Sequence, residues 1–142
     1  MVNTLSLEDR IAATDVVDRF FWLVDNGRAA ETAALFASDG SLTFGPGSPK
    51  PGTVSGADLV PAMAARQAQT HVTTRHVVTH PHVEAGEDGS ITIHSLLTLY
   101  RSEDEGRDTY PTSVADILDV LVQEAGAWRI KTRTISPIFN RA

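Results

Sequence analysis

The 142-residue chain contains no cysteine and only two lysines, Lys50 and Lys131. The lack of cysteine excludes a disulfide framework and a thiolate metal site. The scarcity of lysine and the formal net charge of −6 argue against a nucleic acid partner, because phosphate binding depends on clustered basic side chains. The composition therefore predicts no nucleic acid partner.

Long hydrophobic runs are also missing. No apolar segment approaches the length that spans a bilayer, so no membrane partner is predicted. The N-terminus lacks the basic stretch and apolar core of a signal peptide and soon reaches Glu8, Asp9 and Arg10. We therefore expect a cytoplasmic protein, and a length of 142 residues fits one domain over 1–142.

Three helices are predicted in the first half of the chain. Ser6 is a suitable N-cap with Asp9 three residues later, and apolar residues then recur at helical spacing up to the stop signal at Gly27. A second, short helix is predicted over 29–36 and a third over 56–69.

The second half of the chain predicts β-strands. After a short strand at 41–44 and a loop rich in glycine and proline at 45–52, four segments are rich in β-branched residues and are separated by turns. These segments cover residues 72–84, 91–101, 112–124 and 128–135. Helices followed by an antiparallel run of strands indicate an α+β fold. We expect its curved sheet to enclose one pocket for a small, largely apolar molecule.

Asp25 and His76 are the first candidates for chemistry. Asp25 ends the first helix, where an acid opposes the helix dipole, so its position needs a reason. The alternative interpretation is an ordinary exposed carboxylate near the end of a helix. His76 shares a strand face with Val78, and histidine is a candidate general base because it titrates near neutral pH. The simpler interpretation is a structural histidine bonded to the backbone.

The remaining histidines give a weaker signal. His80 and His82 flank Pro81 in an arrangement that resembles two zinc ligands, but no third ligand is evident, so no metal site is predicted. His94 on the next strand shares a face with Leu96, and it is a candidate for the same cavity as His76.

Arg133 and two aspartates complete the candidates. Alternation along the last strand places Arg133 on one face with Arg129 and Lys131, which predicts either a charged edge or an arginine over the mouth of a pocket. Asp116 and Asp119 interrupt an apolar strand and cannot share a face, so one of them is expected to be buried and paired.

Several motifs, in order, carry a resemblance to a known family. The first helix ends in Val24-Asp25-Asn26-Gly27, and Leu35-Phe36-Ala37-Ser38-Asp39-Gly40 follows. Gly56-Ala57-Asp58-Leu59 opens the third helix, Thr74-Arg75-His76 lies on a strand, and Trp128-Arg129-Ile130 with Arg133 closes the sheet. From about residue 7 to 136, the chain resembles the SnoaL-like branch of the nuclear transport factor 2-like superfamily.

The resemblance implies a cone-shaped, curved mixed sheet wrapped around three helices, and often a homodimer formed through the outer sheet face. Related members include scytalone dehydratase, bile-acid dehydratase and hexachlorocyclohexane dehydrochlorinase. The matching motif positions imply Asp25, His76 and Arg133 as catalytic residues without a cofactor or metal. A neutral His76 then removes a proton from carbon, while Asp25 fixes its tautomer.

The chain departs from these relatives on the first helix. Some dehydratases carry tyrosines there and the dehydrochlorinase carries a lysine, whereas this chain has Phe20, Phe21 and Trp22. We therefore predict a more apolar substrate. It is expected to contact these three aromatic residues, His94 and Tyr100.

The predicted activity is that of a dehydratase-like lyase or isomerase. One alternative is a non-catalytic ligand-binding module or subunit, like the β subunits of ring-hydroxylating dioxygenases. Another is an epoxide hydrolase of the limonene type, which needs an Asp–Arg–Asp arrangement around a water, here Arg133 with Asp116 or Asp119.

Overall fold

The computed structural model describes residues 4–103 and 109–141. Its helical elements are α1, a 3-10 helix, a second 3-10 turn and α2, which cover Leu7–Asp25, Ala29–Leu35, Gly56–Asp58 and Leu59–Ala68. Its strands β1 to β6 cover Phe36–Phe44, Gly52–Ser55, Thr73–Ala85, Ile91–Ser102, Pro111–Glu124 and Ala127–Asn140.

The six strands form one curved, unclosed mixed sheet in the order β2-β1-β6-β5-β4-β3. Strands β3 to β6 are an antiparallel meander, β2 pairs antiparallel with β1, and β1 runs parallel to β6. The helices cover the concave, inner face. The predicted α+β fold with a mixed sheet around helices is confirmed.

The sequence signals at both ends of α1 act as predicted. The Ser6 hydroxyl accepts the backbone N–H of Asp9 at 3.0 Å, and the helix ends at Asp25. Gly27 follows with a φ of +76°, a left-handed conformation that glycine adopts without a steric penalty. This stop fixes Asp25 in the last turn of the helix, where its side chain reaches the start of β3.

The core lies between α1 and the inner face of the sheet. Its fully buried members include Ala13 on α1, Ile91 and Ile93 on β4, and Leu121 and Ile130 on β5 and β6. Because inward and outward residues alternate along β4 and β5, these positions share one face. No described helix has the length and apolar character needed to cross a membrane.

Strand boundaries differ from the sequence prediction on the β1 side of the sheet. Strand β1 begins at Phe36, five residues before the predicted start at 41, because Phe36 already pairs with Ile130. An irregularity between Phe36 and Ser41 bends this strand. Strand β2 begins at Gly52, the last residue of the segment predicted as a loop. The glycine and proline residues of that segment gave no signal of a strand that pairs with β1.

A bulge in β6 overturns the predicted alternation of its charged residues. Leu121 pairs with Ile130 and Val120 pairs with Thr132, so one residue of β6, Lys131, has no partner on β5. An extra residue of this kind reverses the inward and outward positions that follow it. Ile130 and Arg133 are therefore both buried, and the prediction that Arg133 shares a face with Lys131 is wrong.

Candidate active site

Asp25 and His76 lie side by side, at the end of α1 and on the inner face of β3. His76 Nδ1 is 2.6 Å from Asp25 Oδ1, and the backbone N–H of His76 donates to Asp25 Oδ2 at 2.8 Å. The Thr74 hydroxyl donates to Asp25 Oδ1 at 2.8 Å. An ionised carboxylate only accepts hydrogen bonds, so Nδ1 carries the ring proton. Nε2 has no hydrogen-bond partner among the described residues.

The surroundings of Asp25 favour its ionised form. Its side chain is 8% exposed, and that of His76 is 13% exposed. Burial alone raises the pKa of Asp25, but the hydrogen bonds and charge of His76, together with the Thr74 hydroxyl, outweigh it. The pKa of Asp25 therefore lies below the ordinary value of 3.8. A carboxylate that stays ionised holds the imidazole in one tautomer and one orientation.

Phe21 connects this pair of residues to a buried ion pair. Its ring lies 4.8 Å from the His76 ring, centroid to centroid, at an interplanar angle of 33°. The guanidinium carbon of Arg133 lies 4.6 Å from the centroid of the Phe21 ring and 4.7 Å from that of Phe20. The predicted aromatic contacts Phe20 and Phe21 are thus inside the fold, and Phe21 is the one that touches the imidazole.

Arg133 lies in the interior and not at a rim. It donates from Nε and Nη2 to the two carboxylate oxygens of Asp119 at 2.6 and 3.0 Å, and from Nη2 to the Val17 carbonyl at 3.2 Å. Both charged side chains are fully buried. The expectation that one of the two aspartates is buried and paired is confirmed for Asp119, while Asp116 is exposed on the outer face.

Three other predicted contact residues lie elsewhere. Trp22 is 55% exposed, on the side of α1 that faces away from the core, with Arg28 over its ring. His94 is exposed on the outer face of the sheet, so the prediction that it shares a cavity with His76 is wrong. Tyr100 is partly buried and pairs with Arg75 across the strands, which places it on the outer face by alternation.

The prediction that His94 shares a strand face with Leu96 is correct, but that face is the outer one and not the inner face that carries His76. His76 is opposite Leu99 in the β3–β4 ladder, five positions from His94, and an odd separation along a strand reverses the face. The bulge between Thr79 and His82 does not bring His94 to the inner face, because His94 is paired with His82 on the outer face.

The remaining histidines on β3 make local contacts. His80 has a φ of 57° at the bulge and its ring lies 3.0 Å from the Thr79 hydroxyl. His82 lies 2.8 Å from Glu84, and both side chains are well exposed. Within residues 4–103 and 109–141, no group of three or more histidine or acidic side chains is arranged to hold a metal ion.

Two cavities formed by described residues have linings that include neither Asp25 nor His76. The larger, about 360 Å³, lies on the outer face between β4, β5 and β6 and includes His94, Leu96 and Leu118. The smaller, about 70 Å³, lies between α1 and the strands β3 and β4 and includes Asp18 and Ser95. The pocket that the sequence predicts around Asp25 and His76 stays a prediction.

Sequence reasoning missed three residues that hold the pair in place. Thr74 lies two residues before His76, on the same strand face, and that spacing was the available signal. Arg66 on α2 donates to the Thr74 hydroxyl at 3.2 Å. Arg75 donates to the carbonyl of Asp25 at 3.1 Å, which fixes the end of α1 against the edge strand.

Solved structures with this fold cover nearly the whole chain. One is an NTF2-like protein with a cystatin-like fold from Novosphingobium aromaticivorans, 19% identical over 96% of this chain and 86% of that chain, with a TM-score of 0.77. A proposed scytalone dehydratase from the same species is 16% identical over 95% and 87% of the two chains, with a TM-score of 0.79. ActVI-ORFA from Streptomyces coelicolor is 20% identical over 91% and 96%, with a TM-score of 0.75.

These identities are low enough that the structures establish the fold alone. No protein of curated function matches the chain. The model of the SnoaL-like domain matches residues 5–134, which is most of the sequence. The chain therefore belongs to the SnoaL-like domain family.

Proposed function

We propose that this protein is a cofactor-independent lyase or isomerase in which His76 is the general base. The observation that carries the proposal is the hydrogen bonding around Asp25. The carboxylate accepts the Nδ1–H of His76 and two further donors, and this leaves Nε2 of the same ring with a lone pair and no partner among the described residues. A positioned base of this kind typically accelerates a proton transfer by about 10² to 10⁴.

The proposed reaction begins when Nε2 takes a proton from a carbon next to an activating carbonyl. In a dehydration, the C–H electron pair forms the new double bond and the C–O bond to the β-hydroxyl breaks. The departing hydroxide takes the proton from the His76 imidazolium and leaves as water, which restores the neutral ring. In an isomerisation, the proton returns to another carbon. Asp25 stabilises the imidazolium in either case, without itself taking a proton.

The groups near His76 support an apolar substrate. Phe21 packs on the imidazole, and Leu99 lies opposite His76 in the sheet. Arg133 is held behind Phe21 by Asp119, so we assign it a positioning role for Phe21 in place of the predicted direct catalytic contact. An apolar wall also lowers the local dielectric and strengthens the interaction between the carboxylate and the imidazolium.

The test is an elimination assay on bicyclic aromatic β-hydroxy ketones, which gain ultraviolet absorbance when they lose water. Exchange of their α-protons in D₂O, followed by NMR, reports proton abstraction even where no leaving group departs. We expect His76→Ala to lower the rate of both processes by about 10²- to 10⁴-fold. His82→Ala is the matched control, because that ring is exposed and contacts Glu84 and the His94 ring on the outer face, away from Asp25.

Full activity of a folded His76→Ala protein on a substrate that the wild type turns over contradicts the proposal. A control variant that loses as much activity as His76→Ala also contradicts it, because the effect is then not specific to the ring beside Asp25.

A non-catalytic ligand-binding module is the second candidate. The observation in its favour is that the larger of the two cavities lies on the outer face, away from Asp25 and His76. Compounds that bind with a measurable affinity while their α-protons exchange no faster than in buffer favour this candidate. Accelerated exchange that depends on His76 favours the enzyme.

We also propose a homodimer that forms through the outer sheet face. Leu96 and Leu118 are 40% and 38% exposed there and border the larger cavity. Light scattering should give twice the 15.3 kDa chain mass. Leu118→Asp should give the monomer, while Val60→Asp, at an exposed position of α2, should not. A wild-type monomer at micromolar concentration contradicts this proposal. A cytoplasmic location stays a prediction.

A further inference from the structure

Two arginines, Arg66 and Arg101, lie next to Thr74, whose hydroxyl donates to Asp25, and they take no part in the proposed proton transfer. Arg66, near the end of α2, donates from Nη2 to Thr74 Oγ1 at 3.2 Å. Arg101 on β4 is the cross-strand partner of Thr74 on β3. Partners across a strand pair project to the same side of a sheet. Both arginines therefore belong to the inner side that carries Thr74 and His76.

Within the described residues, little negative charge balances these two groups. Burial lowers the pKa of Arg66, the charge of Arg101 lowers it further, and the Asp25 carboxylate raises it. Asp25 already accepts three other hydrogen bonds. Arg101 pairs with Glu103, whose side chain is 70% exposed, and a pair of that kind contributes little. In the part of the chain that the structure describes, Arg66 has no ion-pair partner.

This arrangement is unexpected in a chain with 18 acidic residues and 12 basic ones. Among the described residues, Arg66 has no carboxylate partner and Arg101 has the exposed carboxylate of Glu103, so the two guanidinium groups retain N–H donors for a carboxylate from outside the protein. A guanidinium presents two parallel N–H donors that match the two oxygens of a carboxylate.

We propose that Arg66 and Arg101 form a binding site for a carboxylate group of the substrate. The ligand class is then an apolar ring compound that bears one carboxylate. Arg66 is linked to the base through successive hydrogen bonds, by way of Thr74 and Asp25. A carboxylate held by the arginines thus sits beside the catalytic pair, and the ring attached to it extends toward His76. The identity of the substrate rests on the proposed function, but binding of a carboxylate does not.

The experiment compares two probes on the full chain by isothermal titration calorimetry. 2-Naphthoate carries the carboxylate, and 2-naphthalenemethanol has the same ring with an uncharged group. We expect wild type to bind the naphthoate at least about 10-fold more tightly. Arg66→Gln and Arg101→Gln should each weaken naphthoate binding by about 10-fold and change binding of the alcohol by less than about 2-fold.

Three controls separate a specific site from other effects. Arg19→Gln removes an exposed arginine that pairs with Asp15 on α1, and it should change neither affinity. Arg66→Lys keeps a positive charge and should retain more naphthoate affinity than Arg66→Gln, which guards against a loss that is only structural. Raising the salt concentration from about 50 to about 500 mM should weaken binding of the naphthoate and spare the alcohol.

The proposal is overturned if wild type binds both probes equally, if it binds neither, or if both glutamine variants keep the preference for naphthoate. His76→Ala separates this result from the proposed function. It should lower the rate of proton abstraction by about 10²- to 10⁴-fold and keep the naphthoate preference. A preference that depends on the arginines in a protein with no exchange activity supports the carboxylate site and removes the enzyme. Proton exchange that depends on His76, in a protein that does not prefer naphthoate, supports the enzyme and removes the carboxylate site.

Discussion

Replacing Asp119 by asparagine should destabilise the protein far more than the same change at Asp116. Asp119 and Arg133 are both fully buried, and the aspartate accepts two hydrogen bonds from the guanidinium. Asparagine keeps the shape of the side chain and removes its charge. The cation is then left with the Val17 carbonyl and the faces of two phenylalanine rings.

The size of the effect follows from the burial of the ion pair. Removing one partner of a buried ion pair lowers the free energy of unfolding by about 3–5 kcal/mol, because the remaining charge is desolvated and has no opposite charge to compensate it. The ring faces offset part of this, since a desolvated cation–π contact contributes up to about 2 kcal/mol. Asparagine also still accepts one hydrogen bond. We therefore expect Asp119→Asn to lower the free energy of unfolding by about 3 kcal/mol, and Tm by about 10 °C.

Urea titrations followed by circular dichroism measure this free energy. Asp116→Asn is the matched control on the same strand, and its exposed position predicts a change within about 0.5 kcal/mol. The double variant Asp119→Leu with Arg133→Met should recover most of the loss, because apolar residues of similar volume often replace a buried ion pair without cost. Equal and small effects of the two asparagine variants would refute the assignment of a buried, stabilising pair.

Two further predictions concern the hydrogen bonds on Asp25. Because its pKa is lowered on folding, the ionised carboxylate contributes stability that is fully present above the ordinary value of 3.8 and is lost as pH falls through the lower folded value. Asp25→Asn should therefore lower the free energy of unfolding by about 1.5–3 kcal/mol at neutral pH, as measured by urea titration. The difference in this free energy between wild type and variant should become smaller below about pH 4. A difference that does not change with pH contradicts the effect of the lowered pKa on stability. Thr74→Val removes a hydroxyl that accepts a hydrogen bond from Arg66 and donates one to Asp25. It should lower the free energy of unfolding by about 1–3 kcal/mol and reduce the elimination rate. Thr79→Val, on the outward face of β3, is the control and should have neither effect.

Local patterns in the sequence predicted α1 and the inward face of His76 well. The Ser6 cap and the Gly27 stop are chemical signals that act within a few residues, so no tertiary information is needed to place the ends of the helix. The period of two along β3 is equally local, and it correctly groups His76 with Val78.

Pairing between strands was the part that local patterns could not supply. The direction of His94 depends on the register of β3 against β4, and a shift of one residue reverses every side chain of a strand. The burial of Arg133 depends on the bulge at Lys131, which appears only when β6 is paired with β5.

The resemblance to a family supplied what spacing alone did not. It brought together Asp25 and His76, which are 51 positions apart in sequence. It did not distinguish an arginine at the mouth of a pocket from Arg133 in a buried ion pair with Asp119, because that difference depends on packing inside this chain.

The most direct test of the Asp25–His76 assignment is the protonation of the His76 ring, measured by ¹⁵N NMR with long-range proton correlation at neutral pH. The carboxylate on Nδ1 predicts that Nδ1 carries the proton and that Nε2 gives the signal of an unprotonated nitrogen in the neutral ring. Asp25→Asn should shift this balance of tautomers, and His82 should show no change in the same spectra. A His76 ring that carries its proton on Nε2 in the wild-type protein would contradict its role as a general base.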